Sequence, residues 1–234
     1  MEKAKLKNHR IFIPTKGAED WRDFLAEPDR EWQSGYSAKA LAYCWEETSG
    51  FPDSVKKVFS KSGYPVFKNM TPVIILPEYK VPLPGGRRPS QSDIFILAHS
   101  NEGLVTMAVE GKVEEAFGPT VSEWLENSTQ GKTIRLEYVM EQLELTEKPP
   151  DHIRYHLLHR TASALREAKW FYAKISVMLI HSFSQDHKWF EDYNEFLGLF
   201  DKIGKPDSVT FVGKKNGIEL YCAWVTGEEK YLKV

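Results

Sequence analysis

Cysteine is nearly missing from this chain. Cys44 and Cys222 are the two in 234 residues, and they form no Cys-x-x-Cys pair. That excludes a disulfide scaffold and a zinc ribbon, and it suits a reducing, cytoplasmic setting. No long apolar run exists either: the stretch around Ile175 to Ile180 falls far short of the roughly 20 residues a bilayer span needs, so no membrane association is expected. Met1 to Lys7 carry charge with no apolar run or small-residue cleavage site after them, unlike a secretory leader. Gly-x-Ser-x-Gly, Gly-x-x-x-x-Gly-Lys-Ser/Thr and Gly-x-Gly-x-x-Gly are absent. Serine hydrolase, P-loop NTPase and dinucleotide enzyme lose support with them. There is no internal repeat, no low-complexity segment and no excess of one charge: 31 Lys and Arg against 33 Asp and Glu give a net −2, which argues against a wholesale polyanion binder.

What is present describes one soluble domain, residues 1–234, at 41% hydrophobic and 27% charged residues, long enough to bury a core without staples. Its charge is unevenly distributed. Lys56, Lys57, Lys61, Lys68, Lys80, Arg87 and Arg88 face a single acid, Glu78, up to Ser90, whereas Glu102 to Glu126 holds six glutamates against Lys112 alone. The first segment suits phosphates and the second a cation, although either is equally what a solvated face looks like.

Periodicity predicts a helix over Tyr36 to Thr48, with Ala38, Leu41, Ala42 and Trp45 as its stripe, and a second from Asp53 to Gly63. A strand is expected at Thr71 to Leu76, followed by an irregular stretch imposed by Pro77, Pro82, Pro84, Gly85, Gly86 and Pro89. Ile94 to Ala98 and Leu104 to Val109, joined by His99 to Gly103, read as a β-hairpin whose second strand continues to Val113. Helices follow at Thr120 to Glu126, Arg135 to Leu145 and His152 to Tyr172, then a strand at Ile175 to His181. A helix at Asp186 to Phe200 and a hairpin of Ser208 to Val212 with Ile218 to Val225 close the chain. This order predicts an α/β fold, a mixed central β-sheet flanked by helices.

In the predicted strand, Glu110 and Lys112 share one face by the period of two, with Val109, Gly111 and Val113 on the other. Asp93 is expected just before the first strand of the hairpin, where antiparallel pairing sets it opposite position 109 or 110. Two adjacent carboxylates repel, and a hard divalent ion, Mg²⁺ or Mn²⁺, relieves the repulsion while leaving positions for phosphate oxygens. A lysine beside it assists an attacking water. Gly111 would let its carbonyl approach such an ion. That set of groups points to phosphodiester hydrolysis.

Asp93, sixteen intervening residues, then Glu110-Gly111-Lys112 on a hairpin resembles the PD-(D/E)xK nuclease superfamily, the restriction-endonuclease-like fold. The resemblance covers about residues 36–182, with a C-terminal helix and hairpin at about 183–234 as an extension. Ser92 stands where the family usually has proline, and Pro89 lies four residues ahead of Asp93. It implies a Mg-dependent nuclease with Asp93, Glu110 and Lys112 catalytic and a nucleic-acid partner, DNA in the first place, and it is compatible with a homodimer. It implies metal ligands Asp93, Glu110 and Gly111, with an acid from the first helix, Glu46 or its neighbour Glu47. Nucleic-acid contacts fall to Lys56, Lys57, Arg87, Arg88, His156 and Arg160, the last two on a polar stripe with Ser163 and Glu167.

Other readings stay open. Glu110 and Lys112 also make sense as an ion pair at a sheet edge, Asp93 as the end of the Ser90-Gln91-Ser92 turn, Glu46 and Glu47 as surface residues, and the His156 to Glu167 stripe as a solvated helix face. A module of the same fold that binds nucleic acid or protein without cutting is the alternative function.

Overall fold

The structure, a computed structural model, describes residues 15–234; residues 1–14, including the charged start at Met1 to Lys7, lie outside the described residues. A short helix α1 (Pro28–Glu31) precedes α2 (Ser37–Glu46) and α3 (Asp53–Lys61). The strands β1 (Thr71–Val81), β2 (Ser90–Ser100) and β3 (Gly103–Lys112) follow, then α4 (Val121–Leu125), α5 (Gln130–Leu143) and α6 (Tyr155–Trp170). The chain continues through β4 (Ile175–Ser182), α7 (Phe190–Gly198), β5 (Ser208–Lys215) and β6 (Ile218–Thr226).

The strands form one mixed, open sheet in the order β1-β2-β3-β4-β6-β5. β1, β2 and β3 make an antiparallel meander, β4 lies parallel to both β3 and β6, and β5 returns antiparallel on β6. All of β4 is buried, as expected of a central parallel strand covered on both faces. One face carries α2 and α3, through a core that includes Trp45, Phe59, Ile96 and Val109. The other carries the residues of α5, α6 and α7 packed on Ala108, Met178 and Trp224. No helix among the described residues is long and apolar enough to cross a membrane.

Three departures from the sequence reading matter for the site. β1 does not stop at Leu76 but runs through Pro77 to Val81. It is the sheet's edge, and an edge strand tolerates proline because half of its N–H groups face no neighbour. β2 starts at Ser90, so Asp93 lies inside the strand and not before it. The expected five-residue loop shrinks to a two-residue turn at Asn101-Glu102, with Ser100 paired to Gly103.

Gly111 has a packing role that the sequence reading assigned elsewhere. It faces α2, and a Cβ there would stand 2.3 Å from Leu41 Cδ1 and 3.2 Å from Ser37 Cβ. The missing side chain therefore admits Leu41. Gly111→Ala is expected to cost about 1–3 kcal/mol of stability through overpacking. In a Leu41→Ala background, where the methyl groups it strikes are gone, the same change should be close to neutral. Urea unfolding of the four proteins measures both, and equal costs in the two backgrounds would refute the contact.

Candidate active site

The pairing of three strands brings three carboxylates into one row. Between the pairs Pro77↔Ile94 and Tyr79↔Ser92, Glu78 of β1 stands opposite Asp93 of β2. One step beyond Ile94↔Val109, Asp93 comes beside Glu110 of β3. Cross-strand neighbours share a face, here the face covered by α6. Glu78 has a left-handed backbone, φ 49°, uncommon for a non-glycine residue. Gln91, two positions before Asp93 on β2, donates to Glu78 Oε2 at 2.5 Å.

Each carboxylate meets a different environment. Glu110 Oε1 accepts from Lys112 Nζ at 3.0 Å and Oε2 accepts from Arg160 Nε at 2.8 Å. The Glu110 and Lys112 side chains are 4% and 5% exposed. Burial pushes the Glu110 carboxyl up, but the Arg160 and Lys112 charges outweigh it and hold the group well below the usual range. Burial alone would lower Lys112, yet Glu110, Asp93 and Glu115 keep it above its ordinary value, so it stays an ammonium. Lys112 Nζ also donates to the Gly111 carbonyl at 2.8 Å and lies 5.1 Å from the centre of the Phe117 ring. The ion pair expected at an edge thus sits in the sheet interior, because β3 has neighbours on both sides.

Asp93 is the contrasting case. Its Oδ2 accepts from the Gly111 amide at 2.7 Å, a backbone bond across the strands and not within the Ser90-Gln91-Ser92 turn. Burial and then the Glu110 charge push its carboxyl up to about 7, against the pull of Lys112 and Arg160. Glu78 is raised for the same reasons, burial first and the Asp93 charge second. The row therefore holds one carboxylate matched by two cations and two carboxylates that are not matched.

α6 supplies the roof. Arg160 and Ser163 are buried on it together with Glu167, which accepts from Tyr79 Oη at 3.0 Å, so the polar stripe faces inward and the solvated-face reading of it fails. His156 lies one turn before Arg160, with its side chain one-third exposed and Nδ1 3.9 Å from Glu110 Oε1. That nitrogen is buried without a hydrogen-bond partner. Burial and the Arg160 charge lower His156 to about 4, which leaves it a neutral imidazole at ordinary pH. Gly118, at φ 72°, makes room for the ring, since a Cβ there would lie 2.8 Å from it. On the other side Glu115 accepts from Ser37 N, at the start of α2, and from Val113 N, at 3.1 and 3.3 Å.

These residues line a cleft of about 390 Å³ that includes Glu78, Asp93, Glu110, Lys112, His156 and Arg160. Five of the site residues read from the sequence thus come together. Glu46 and Glu47 do not. The cleft meets the N-terminal end of α2, whereas Glu46 is its last residue, some ~13 Å along the axis, where it accepts from Thr15 and Trp21 Nε1; Glu47 bonds Tyr231 and Lys230. Glu78, which the sequence reading did not single out as a site residue, lines the cleft instead. Lys56 and Lys57 are displaced as well, because α3 packs toward β5 and β6, beyond the sheet centre, and Lys56 pairs with Asp53 at 2.9 Å. Arg88 borders the roof residues His156 and Arg160, while Arg87 is exposed on the same loop. Among the described residues no three His, Cys, Asp or Glu side chains form a metal cage.

A family model described as a domain of unknown function, DUF6946, matches residues 14–229. The chain belongs to that family. No curated protein and no solved structure matches it. The DUF6946 match spans every strand and all of the cleft, and its description names no activity.

The raised Asp93 carboxyl has a measurable consequence. Near ~3.9 unfolded and about 7 folded, the group binds more protons in the native state between those values, so its contribution makes stability fall as pH rises from about 4 to about 7. Asp93→Asn keeps an acceptor for the Gly111 amide and removes the charge. In chelated buffer it should be more stable than wild type at pH 8 by on the order of 2–4 kcal/mol, with the gain closing toward pH 4. Equal urea midpoints at pH 8 would contradict the assignment.

Proposed function

We propose that this protein is a Mg²⁺-dependent nuclease that hydrolyses phosphodiester bonds in nucleic acid, DNA in the first place. The observation that carries the reading is the pair of half-buried carboxylates with no cation paired to either, Glu78 and Asp93, beside an ammonium held charged at Lys112. The donor set fits the ion: Mg²⁺ commonly takes one or two protein carboxylates and leaves its remaining positions to water and substrate phosphate, so a three-residue cage is not required. Asp93 and Glu78 would hold it, with Glu110 beside them. When bound, the ion supplies an acidified water and neutralises charge on the phosphoryl oxygens.

The chain's own groups do the rest. Lys112, fixed by Glu110 and the Gly111 carbonyl, orients the attacking water and stabilises charge on the phosphoryl group, and being an ammonium it acts as a donor and not as a base. Arg160 spends Nε on Glu110, which leaves its two terminal amino groups for a phosphate oxygen. The order of a helix, the hairpin β2-β3, then helices and a strand is compatible with the resemblance to the PD-(D/E)xK nucleases and supports the reading to that extent. A cytoplasmic setting accords with the two buried free thiols, and symmetric pairing of two chains with cleavage of both strands of a duplex.

One observation favours the second reading, a module that binds nucleic acid or protein without cutting: both oxygens of Glu110 are already taken by cations. The two readings separate in one assay. Plasmid and single-stranded DNA incubated with Mg²⁺ or Mn²⁺ should be cut by wild type, about 10²–10³-fold less by Lys112→Ala, and not in chelator. Absence of cutting by wild type with either ion, together with an unchanged melting temperature on adding them, would leave the binding module.

A further inference from the structure

Behind Arg160 and His156 a second pocket of about 300 Å³ adjoins the cleft, and Gln91, His156 and Arg160 are common to both walls. Its chemistry is the opposite of the cleft's. The cleft wall includes Glu78, Asp93, Glu110 and Glu115; the pocket wall contains no acidic side chain and three arginines, Arg88, Arg135 and Arg160. Arg135 is spent on structure, donating from Nε and Nη2 to the carbonyls of Leu83, Pro84, Gly86 and Arg88. In doing so it fixes the loop that carries Arg88, while its charge stays within the wall. Arg88 and Arg160 remain able to donate.

A second, independent feature marks the pocket as a place for a ligand. Tyr155 is 4% exposed, and the one group beside its buried hydroxyl, the Arg135 guanidinium, can only donate, so the O–H proton has no acceptor. A hydroxyl so placed is disfavoured unless something accepts from it. An acceptor-rich anion satisfies this set, since arginines and a hydroxyl all donate and nothing here repels negative charge.

From this juxtaposition we infer that the pocket of Arg88, Arg135, Tyr155 and Arg160 is a second phosphate subsite, which receives a phosphate of the substrate strand next to the one under attack. The inference rests on the nuclease reading for its placement in a strand, but the subsite binds phosphate whether or not the chain cuts. Two sources share this chemistry, a terminal phosphomonoester and an internal phosphodiester.

Fluorescence anisotropy in chelator, with single-stranded oligonucleotides bearing a 5′-phosphate, a 3′-phosphate or neither, tests it without catalysis. Arg88→Ala, at an exposed loop position, should weaken binding about tenfold and lower the slope of log affinity against log salt by about one. Tyr155→Phe should weaken binding several-fold with the slope unchanged, because it removes a neutral donor. Tighter binding of one phosphorylated end, lost in Arg88→Ala, identifies the monoester; equal binding of all three probes, weakened alike, identifies the internal phosphate. Wild-type affinity in both variants, or no binding of any probe by the wild type, overturns the subsite. Cutting that depends on Lys112 but is indifferent to Arg88 and Tyr155 would sink the subsite and leave the nuclease standing; phosphate binding lost in Arg88→Ala without any cutting would do the reverse.

Discussion

The Glu110 carboxylate, clamped between Lys112 and Arg160 in the sheet interior, is the interaction on which the rest of the site depends. An ionised group buried alone is strongly disfavoured, and removing one partner from a buried pair typically costs about 3–5 kcal/mol. Two cations around one carboxylate leave a net positive charge on the cluster, and that excess is what allows Asp93 and Glu78 to approach so closely. Their carboxyls are still raised, so the compensation is partial. A site built to be neutral would bury its charges more cheaply; one left short of positive charge beside two carboxylates is suited to acquiring a cation.

The same clamp ties the layers together. Arg160 comes from α6 on one face of the sheet, while Gly111, between the two charged residues of β3, admits Leu41 of α2 from the other. Glu115 then accepts from the first turn of α2, and on β4 His181, opposite Gly111, accepts at Nδ1 from Trp45 of α2. That bond assigns the imidazole proton to Nε2, beside Ser54. The charged end of β3 is thus held from both faces, which limits how far Lys112 can shift from Glu110.

How much of this was legible follows the range of the interactions. The Glu110 and Lys112 pair and its approach to Asp93 could be read because alternation and antiparallel register are local and periodic. Glu78 was not, although it stood out as the lone acid in a basic run, because Pro77 reads as a strand breaker until the strand is known to lie at an edge. Glu46 lies away from the cleft for a different reason: a helix pattern shows which face is buried, not which end of the helix meets the cleft. The stripe of His156, Arg160, Ser163 and Glu167 looks solvated to any pattern based on polarity alone, since the partners that bury it, Glu110 for Arg160 and Tyr79 for Glu167, arrive from strands fifty or more residues away. Lys56 and Lys57 were grouped with Arg87 and Arg88 by sequence proximity, but α3 and the loop before β2 diverge to different parts of the sheet.

Arg160 divides the two chemistries of this region. On one side lie the carboxylates of the cleft and on the other an acid-free wall with two further arginines. A lysine at this position would present one point of charge and would have to choose; a guanidinium offers Nε to Glu110 while its two terminal amino groups point along a different edge of the same plane. The fork therefore lets one side chain neutralise the interior carboxylate and remain a donor to an anion.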